Sequence, residues 1–219
     1  TRAWAAYAFD LLKRAQTLGL LSGVEGNLKL LSGPEQDVMI GELLANHAAG
    51  IAPGPDWPDS LREALPTRGF RHEIRDFFDR MAEYDLTAEE LRTLARTYDR
   101  PVWEALAQLH AEYRAVRALR ANNAYDPAVL INDACRLLLR NPEFLAAERR
   151  RYDLILIDDV QELSPSTYRL LRLITAQIPP AEAADLAAAH PGLFAAGPEV
   201  VLTYSDEAVV QGFRGARPD

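Results

Sequence analysis

The 219 residues carry a formal net charge of −8, with 48% apolar side chains, 26% charged side chains and a single cysteine. Such a chain can bury a substantial core, and its acidic balance argues against nucleic-acid binding by bulk electrostatics while leaving room for a local basic groove. The lone Cys135 rules out an internal disulfide and fits a reducing cytosol, and no window approaches the roughly 18 consecutive apolar residues of a membrane span.

From the N-terminus, "TRAWAAYAFDLLKR" lacks the basic start, apolar middle and cleavage site of a secretory signal. It reads as an amphipathic helix that begins abruptly, as if cut from a longer chain. Gly19, Gly23, Gly26 and Gly33 break the next segment into a loop with a short strand around residues 28–31. "SGPEQDVMIGELLANH" then has helix start signals, with Pro34 in the first turn and acids close behind. The Pro/Gly-rich run of residues 50–60 predicts an exposed loop. In "TRGFRHEIRDFFDRMAEYD", helical spacing puts Phe70, Ile74, Phe77, Phe78 and Met81 on one face. Thr87 and Glu90 form a capping-box pattern at the start of the next helix. Two further helical stretches come after it, the second with Asp126 as its expected N-cap and Pro127 at its first helical position. Trp57 and Trp103 suit core or loop-anchoring positions better than base-stacking platforms.

The pattern changes at Tyr152. "DLILID" is a short continuous apolar run of the kind buried in a parallel sheet. Ser164-Pro165 opens a helix, and "EVVLTYS" is a second strand, followed by the glycine-punctuated "QGFRGARPD". The expected fold is therefore mostly α with an incomplete α/β part. Residues 1–33 and 149–219 would supply the α/β part, with a helical insertion over 34–148 between them.

The chemistry concentrates at "LILIDDVQELSP". An aspartate at the carboxyl end of a buried strand points into the crevice where α/β sheets bind ligands. There it could hold Mg²⁺ through water, while a neighbouring carboxylate orients the water that attacks a phosphate. The same pair, Asp158 and Asp159, equally suits a strand that simply ends in solvent. Elsewhere His47, His72, His110 and His190 have no ligand spacing, and Arg149, Arg150 and Arg151 read as a solvated helix end. No G-x-x-x-x-G-K-[ST] phosphate loop occurs in these residues.

The order aliphatic run, two acids, one residue, Gln, acid, one residue, Ser-Pro resembles the Walker B segment of UvrD/Rep-type superfamily 1 DNA helicases. "GFRGA" after the second strand resembles the end of motif III in the same family. "RAWAAYAFDLLKR" occupies the place of motif Ia, and the helical block that of the inserted 1B subdomain. "GPEQD" and the Arg-Gly-Phe-Arg of 68–71 resemble helicase subunits of actinobacterial helicase–nuclease complexes. The resemblance implies a partial RecA-like P-loop motor domain with a 1B-type insertion.

It also implies roles. Asp158 would position Mg²⁺ with ATP, Asp159 would act as base, and Gln161 would couple nucleotide state to DNA. Phe213 and Arg214 would touch the translocating single strand. The expected partners are single- and double-stranded DNA and a second helicase or nuclease subunit, in the cytoplasm, in DNA repair or recombination. The departures point the other way. Asp159 stands where the family has its catalytic Glu, Glu162 where it has Asp, and Ala208 where a Gln senses the γ-phosphate. Ala3, Ala5 and Ala6 replace the polar residues of motif Ia. Three readings result: a segment of an ATP-dependent helicase, inactive alone without a P-loop; a motor-degenerate subunit that guides DNA; or a free-standing helical adaptor unrelated to helicases.

Overall fold

A computed structural model describes residues 3–24, 26–120, 123–175, 183–194 and 197–205. The chain divides into two compact units. Unit 1 combines Thr1–Ser22 with Pro127–Asp219, and unit 2 is the uninterrupted stretch Gly23–Asp126.

Unit 1 opens with helix α1 (Trp4–Thr17), whose buried face is Tyr7, Ala8, Leu11, Leu12 and Ala15, the helical repeat expected of an amphipathic segment. Its N-cap is Ala3, which makes no side-chain cap, so Ala5 and Ala6 lie exposed in an undecorated first turn.

Unit 2 begins with strand β1 (Lys29–Leu30) and helix α2 (Gly33–Ala48). The start of α2 carries a full capping box. The Glu35 backbone N–H donates to the Ser32 hydroxyl, and Glu35 accepts from the Ser32 backbone N–H at 2.7 Å. Residues 49–67 run as an irregular connection anchored by Trp57, which is buried and packs edge-on against Phe70 at 5.5 Å. Helix α3 (Arg68–Glu83) buries Ile74, Phe78 and Met81, with Phe70 and Phe77 partly covered beside them. Helix α4 (Ala88–Thr97) has the Thr87–Glu90 capping box that its sequence announces. Helix α5 (Pro101–Arg120) packs closely on α4 and also on α2, and strand β2 (Ala124–Tyr125) pairs in parallel with β1. The core holds Met39, Ile40, Ile74, Met81, Leu91, Leu109 and Tyr113.

His110 sits inside that core, its ring 4.8 Å from Phe78. Burial, with Arg114 and Arg117 adding to it, lowers its pKa to about 4. An unfolded chain takes up a proton near pH 6.5 that the folded unit refuses until about 4. The stability that neutral His110 confers is therefore lost as pH falls through that window, at about 1.4 kcal/mol per pH unit. His110→Gln should flatten this slope in denaturant titrations between those pH values, and an unchanged slope would show that His110 is protonated in the fold.

The chain then returns to unit 1. Asp126, expected as an N-cap, is buried and accepts a hydrogen bond from the Tyr113 hydroxyl at 3.3 Å. Helix α6 (Leu130–Arg140) instead starts later, with Val129 as an uncapped N-cap. Asp126 Oδ2 receives the Tyr113 hydroxyl, and the helix proper begins four residues later. Helix α7 (Pro142–Arg149) is separate from α6 because Pro142 cannot continue the hydrogen-bond ladder. α6 packs on α1, and both α6 and α7 pack on the later helix α8 (Pro165–Thr175). These contacts group residues 127–149 with unit 1.

Strand β3 (Leu154–Ile157) pairs in parallel with strand β4 (Glu199–Leu202), in the register Leu154↔Glu199 to Ile157↔Leu202. Helix α8 and the short helix α9 (Ala184–Ala189) lie in the crossover between them. The apolar run of β3 predicts burial, but only Ile157 is buried, and Leu156 is 70% exposed. Among the described residues the sheet has two strands, too few to cover it.

The fold is thus mostly helical with short strands, and no described helix is long and apolar enough to cross a membrane.

Candidate nucleotide site at the end of the parallel strands

Parallel pairing brings the carboxyl ends of β3 and β4 to the same edge. Because Ile157 faces Leu202, the next residues, Asp158 and Thr203, come side by side. The backbone ladder continues past the strands: Thr203 N–H donates to Ile157 O at 2.8 Å, and Val160 N–H donates to Thr203 O at 3.0 Å.

The Thr203 hydroxyl donates to Asp158 Oδ1. The Asp159 N–H reaches both Asp158 Oδ1 and Thr203 Oγ1, each at 3.1 Å. One carboxylate oxygen of Asp158 is thus held by the fold, and the exposed carboxylate is fixed in direction at the strand end. Asp159 has φ +52°, a left-handed conformation that aspartate tolerates better than most residues. That turn reverses the backbone so that Asp159 and Gln161 meet across the adjoining single turn, Val160–Glu162.

Gln161 is 4% exposed. Its Nε2 donates to Asp159 Oδ1 at 3.2 Å, and its Oε1 accepts from the Ser205 backbone N–H at 3.1 Å. One side chain therefore ties the second acid to the loop that leaves β4. Behind it, Ser164 caps helix α8. Its hydroxyl lies 3.0 Å from Thr167 Oγ1 and 3.1 Å from Ser166 Oγ, all three buried.

Of the residues expected here, Asp158, Asp159 and Gln161 come together. Phe213, Arg214 and Ala208 lie outside the described residues. Thr203 and Ser205 were not anticipated as partners; their signal is register, since each follows β4 as the acids follow β3. Asp158 and Asp159 are exposed hard-oxygen donors beside one another, which suits a water-coordinated Mg²⁺. Among the described residues no group of three or more His, Cys, Asp or Glu side chains is placed to hold a metal by itself.

Arg149 departs from expectation. Arg150 and Arg151 are exposed as a helix end should be, but Arg149 is 3% exposed. Its Nη1 donates to Leu193 O, and its guanidinium lies over the Phe194 ring at 4.6 Å. Desolvation lowers its pKa to about 10. Its neighbour Glu148 is also buried, accepting from the Tyr7 hydroxyl at 2.8 Å and from Arg14 Nη1 at 2.6 Å. Burial and the Glu148 carboxylate together push the Tyr7 phenol well above its ordinary range.

Residues 16–181 match the UvrD/REP helicase N-terminal domain family, a span that includes both acids, Gln161 and all of unit 2. The chain belongs to that family. As a UvrD/REP-type chain it is also similar to a probable DNA helicase of Mycoplasma pneumoniae (strain ATCC 29342 / M129 / Subtype 1). The two are 34% identical over 110 residues, 47% of this chain and 17% of that protein. The stretch in common is thus a small part of that relative's length. For a UvrD/REP-type domain, the acids after β3 are the residues whose surroundings most need explaining, and Thr203 and Gln161 supply them.

Proposed function

We propose that this chain is the part of an ATP-dependent DNA helicase or translocase that carries the Walker B carboxylates, and that it acts in DNA repair or recombination in the cytoplasm. The observation that carries the reading is the fixed pair Asp158–Asp159 at the carboxyl end of a parallel strand, tied through Gln161 to the loop after β4. Asp158 would hold Mg²⁺ through water, and ATP with its Mg²⁺ would supply the electrophilic phosphate. Asp159 orients or accepts a proton from water, and its hydrogen bond from Gln161 sets the direction of the carboxylate. Because Gln161 also holds the Ser205 N–H, a shift of the Asp159 carboxylate is felt in the chain leading to Phe213 and Arg214. Those two residues would contact single-stranded DNA, where base stacking on the aromatic is worth about 1–3 kcal/mol. The helical unit 2 corresponds in this reading to a 1B-type insertion and unit 1 to part of a RecA-like motor.

A specific observation favours a second reading, a motor-degenerate subunit that guides DNA beside an active helicase or nuclease. The acid at the base position has the shorter side chain, and the first turn of α1 offers only Ala3, Ala5 and Ala6 where the family grips the DNA backbone.

The 219 residues contain no phosphate-cradling loop, so they should hydrolyse no ATP alone. In a protein that joins them to a complete phosphate loop, DNA-stimulated phosphate release should vanish in Asp158→Ala. Turnover that survives this change would remove Asp158 from the site.

A further inference from the structure

Unit 2 contains a second constellation that neither the acids nor the ATP chemistry uses. A groove of about 640 Å³ lies between the opening turns of α2 and α3, lined among others by Gly33, Asp37, Arg68, Gly69, His72 and Arg75. Arg68 and Arg75 have no carboxylate partner among the described residues. The one acid on the wall, Asp37, is already neutralised by Arg71, whose Nε donates to it at 3.0 Å. Glu35 is turned away into the Ser32 capping box. His72 presents Nδ1 to Arg75 Nη2 at 2.7 Å, with Asp76 at 3.7 Å on the same helix face. The groove therefore keeps a positive balance inside a chain of net charge −8.

Backbone geometry adds to the guanidinium groups. Gly69 stands in the first turn of α3, where a backbone N–H has no intrahelical acceptor. A Cβ at Gly69 would meet nothing within 4 Å, so the backbone of this first turn borders open space. On the facing wall Arg75 lies over Gly33, where a Cβ would come within 3.2 Å of its Nη1. Glycine there lets the guanidinium lie close to the opening turn of α2. Two planar forks and an open helix start suit a tetrahedral oxyanion with several acceptor oxygens.

We propose that this groove is a phosphate site of unit 2 that takes one phosphodiester of a DNA backbone. The choice of DNA over a free phosphate rests on the reading that the protein works on DNA. The groove holds phosphate and reads no base, so it positions the nucleic acid without regard to sequence.

The test is anisotropy of a fluorescein-labelled duplex of about 20 base pairs titrated with the 219-residue chain from about 50 to 200 mM salt. The double variant Arg68→Ala/Arg75→Ala should weaken binding about tenfold at low salt and make the log–log salt slope shallower by about 1, as expected for one phosphate. Arg92→Ala on α4, a half-buried arginine paired with the exposed Glu89 outside the groove, should leave the slope where it is. Equal slopes for the double variant and the unaltered chain would overturn the proposal, as would equal losses in the Arg92 control. If no duplex binds at low salt, the DNA assignment fails. Amide shifts of Arg68 and Gly69 on adding inorganic phosphate would then assign the groove to a free anion. Because none of these measurements involves Asp158 or ATP, this proposal and the nucleotide reading can fail separately.

Discussion

Glu148→Ala is expected to destabilise unit 1 by about 3 kcal/mol, the lower end of the range for breaking a buried ion pair. The carboxylate is fully buried and is the common acceptor of Tyr7 and Arg14, with Arg151 Nη1 3.5 Å away. Removing it leaves a buried phenol without its acceptor and a guanidinium with only Asp10, 3.5 Å from its Nε, as counter-charge. The loss stays at the lower end because the Arg14 side chain is 30% exposed and can rehydrate. Glu148→Gln keeps the shape and an acceptor for Tyr7, so it should cost less. Tyr7→Phe removes one neutral donor to a charged acceptor and should cost about 1.5–3 kcal/mol. Amide hydrogen exchange reads the difference. A loss of about 3 kcal/mol accelerates exchange in α1 and α7 about a hundredfold, while α4 and α5 in unit 2 keep their protection. Equal protection in α1 before and after the change would mean that the pair contributes nothing beyond its own desolvation.

The second large effect is a gain. In a protein carrying a complete phosphate loop, Asp159→Glu should raise DNA-stimulated ATP hydrolysis about a hundredfold. The added methylene advances the carboxylate by about an ångström, and a misplacement of that size can cost about 10²-fold. The backbone opposes the change, because Asp159 is left-handed at φ +52° and glutamate lacks the short side chain that settles there. That opposition is a fraction of the roughly 1–2 kcal/mol left-handed penalty, against about 2.7 kcal/mol for a hundredfold rate. The rate effect should win, accompanied by a small loss of stability. A steady-state phosphate-release assay decides. A glutamate variant as slow as the parent would point to the DNA-guiding subunit instead of a weakened motor.

How much of this was legible in the chain divides along the range of the interactions. The capping boxes at Ser32–Glu35 and Thr87–Glu90 form as their spacing announces, because each is complete within four residues. The apolar faces of α1 and α3 obey the same rule. Asp126 has the right residue type for a cap, yet α6 begins only at Leu130, and the Asp126 carboxylate receives the Tyr113 hydroxyl from an earlier helix. Arg149 looks like its exposed neighbours in sequence, and only the packing of Leu193 and Phe194 against it makes it a buried cation. At the candidate site the acids and Gln161 could be named from order and spacing. Thr203 could not, since its role exists only through the register that sets Ile157 against Leu202. Leu156 errs in the other direction: its aliphatic run reads as a buried strand, and among the described residues it is 70% exposed in a two-stranded sheet.

The small parallel pair β1–β2 bears on the order in which the chain folds. Unit 1 is assembled from two pieces with the whole of unit 2 between them. Joining its pieces while unit 2 is still a random chain means closing a loop of about 100 residues, at a cost of about 4 kcal/mol in chain entropy. Once unit 2 has folded, Lys29 N–H is bonded to Asn123 O and Leu31 N–H to Tyr125 O, while the Asn123 amide holds Asn27 O. The incoming and outgoing segments of unit 2 then run side by side in the β1–β2 pair, roughly 4.8 Å apart. The closure has been made in advance, so the contiguous unit is the natural first folder and the divided one comes second. A pair of two-residue strands, too short to add much stability of their own, sets that sequence of events.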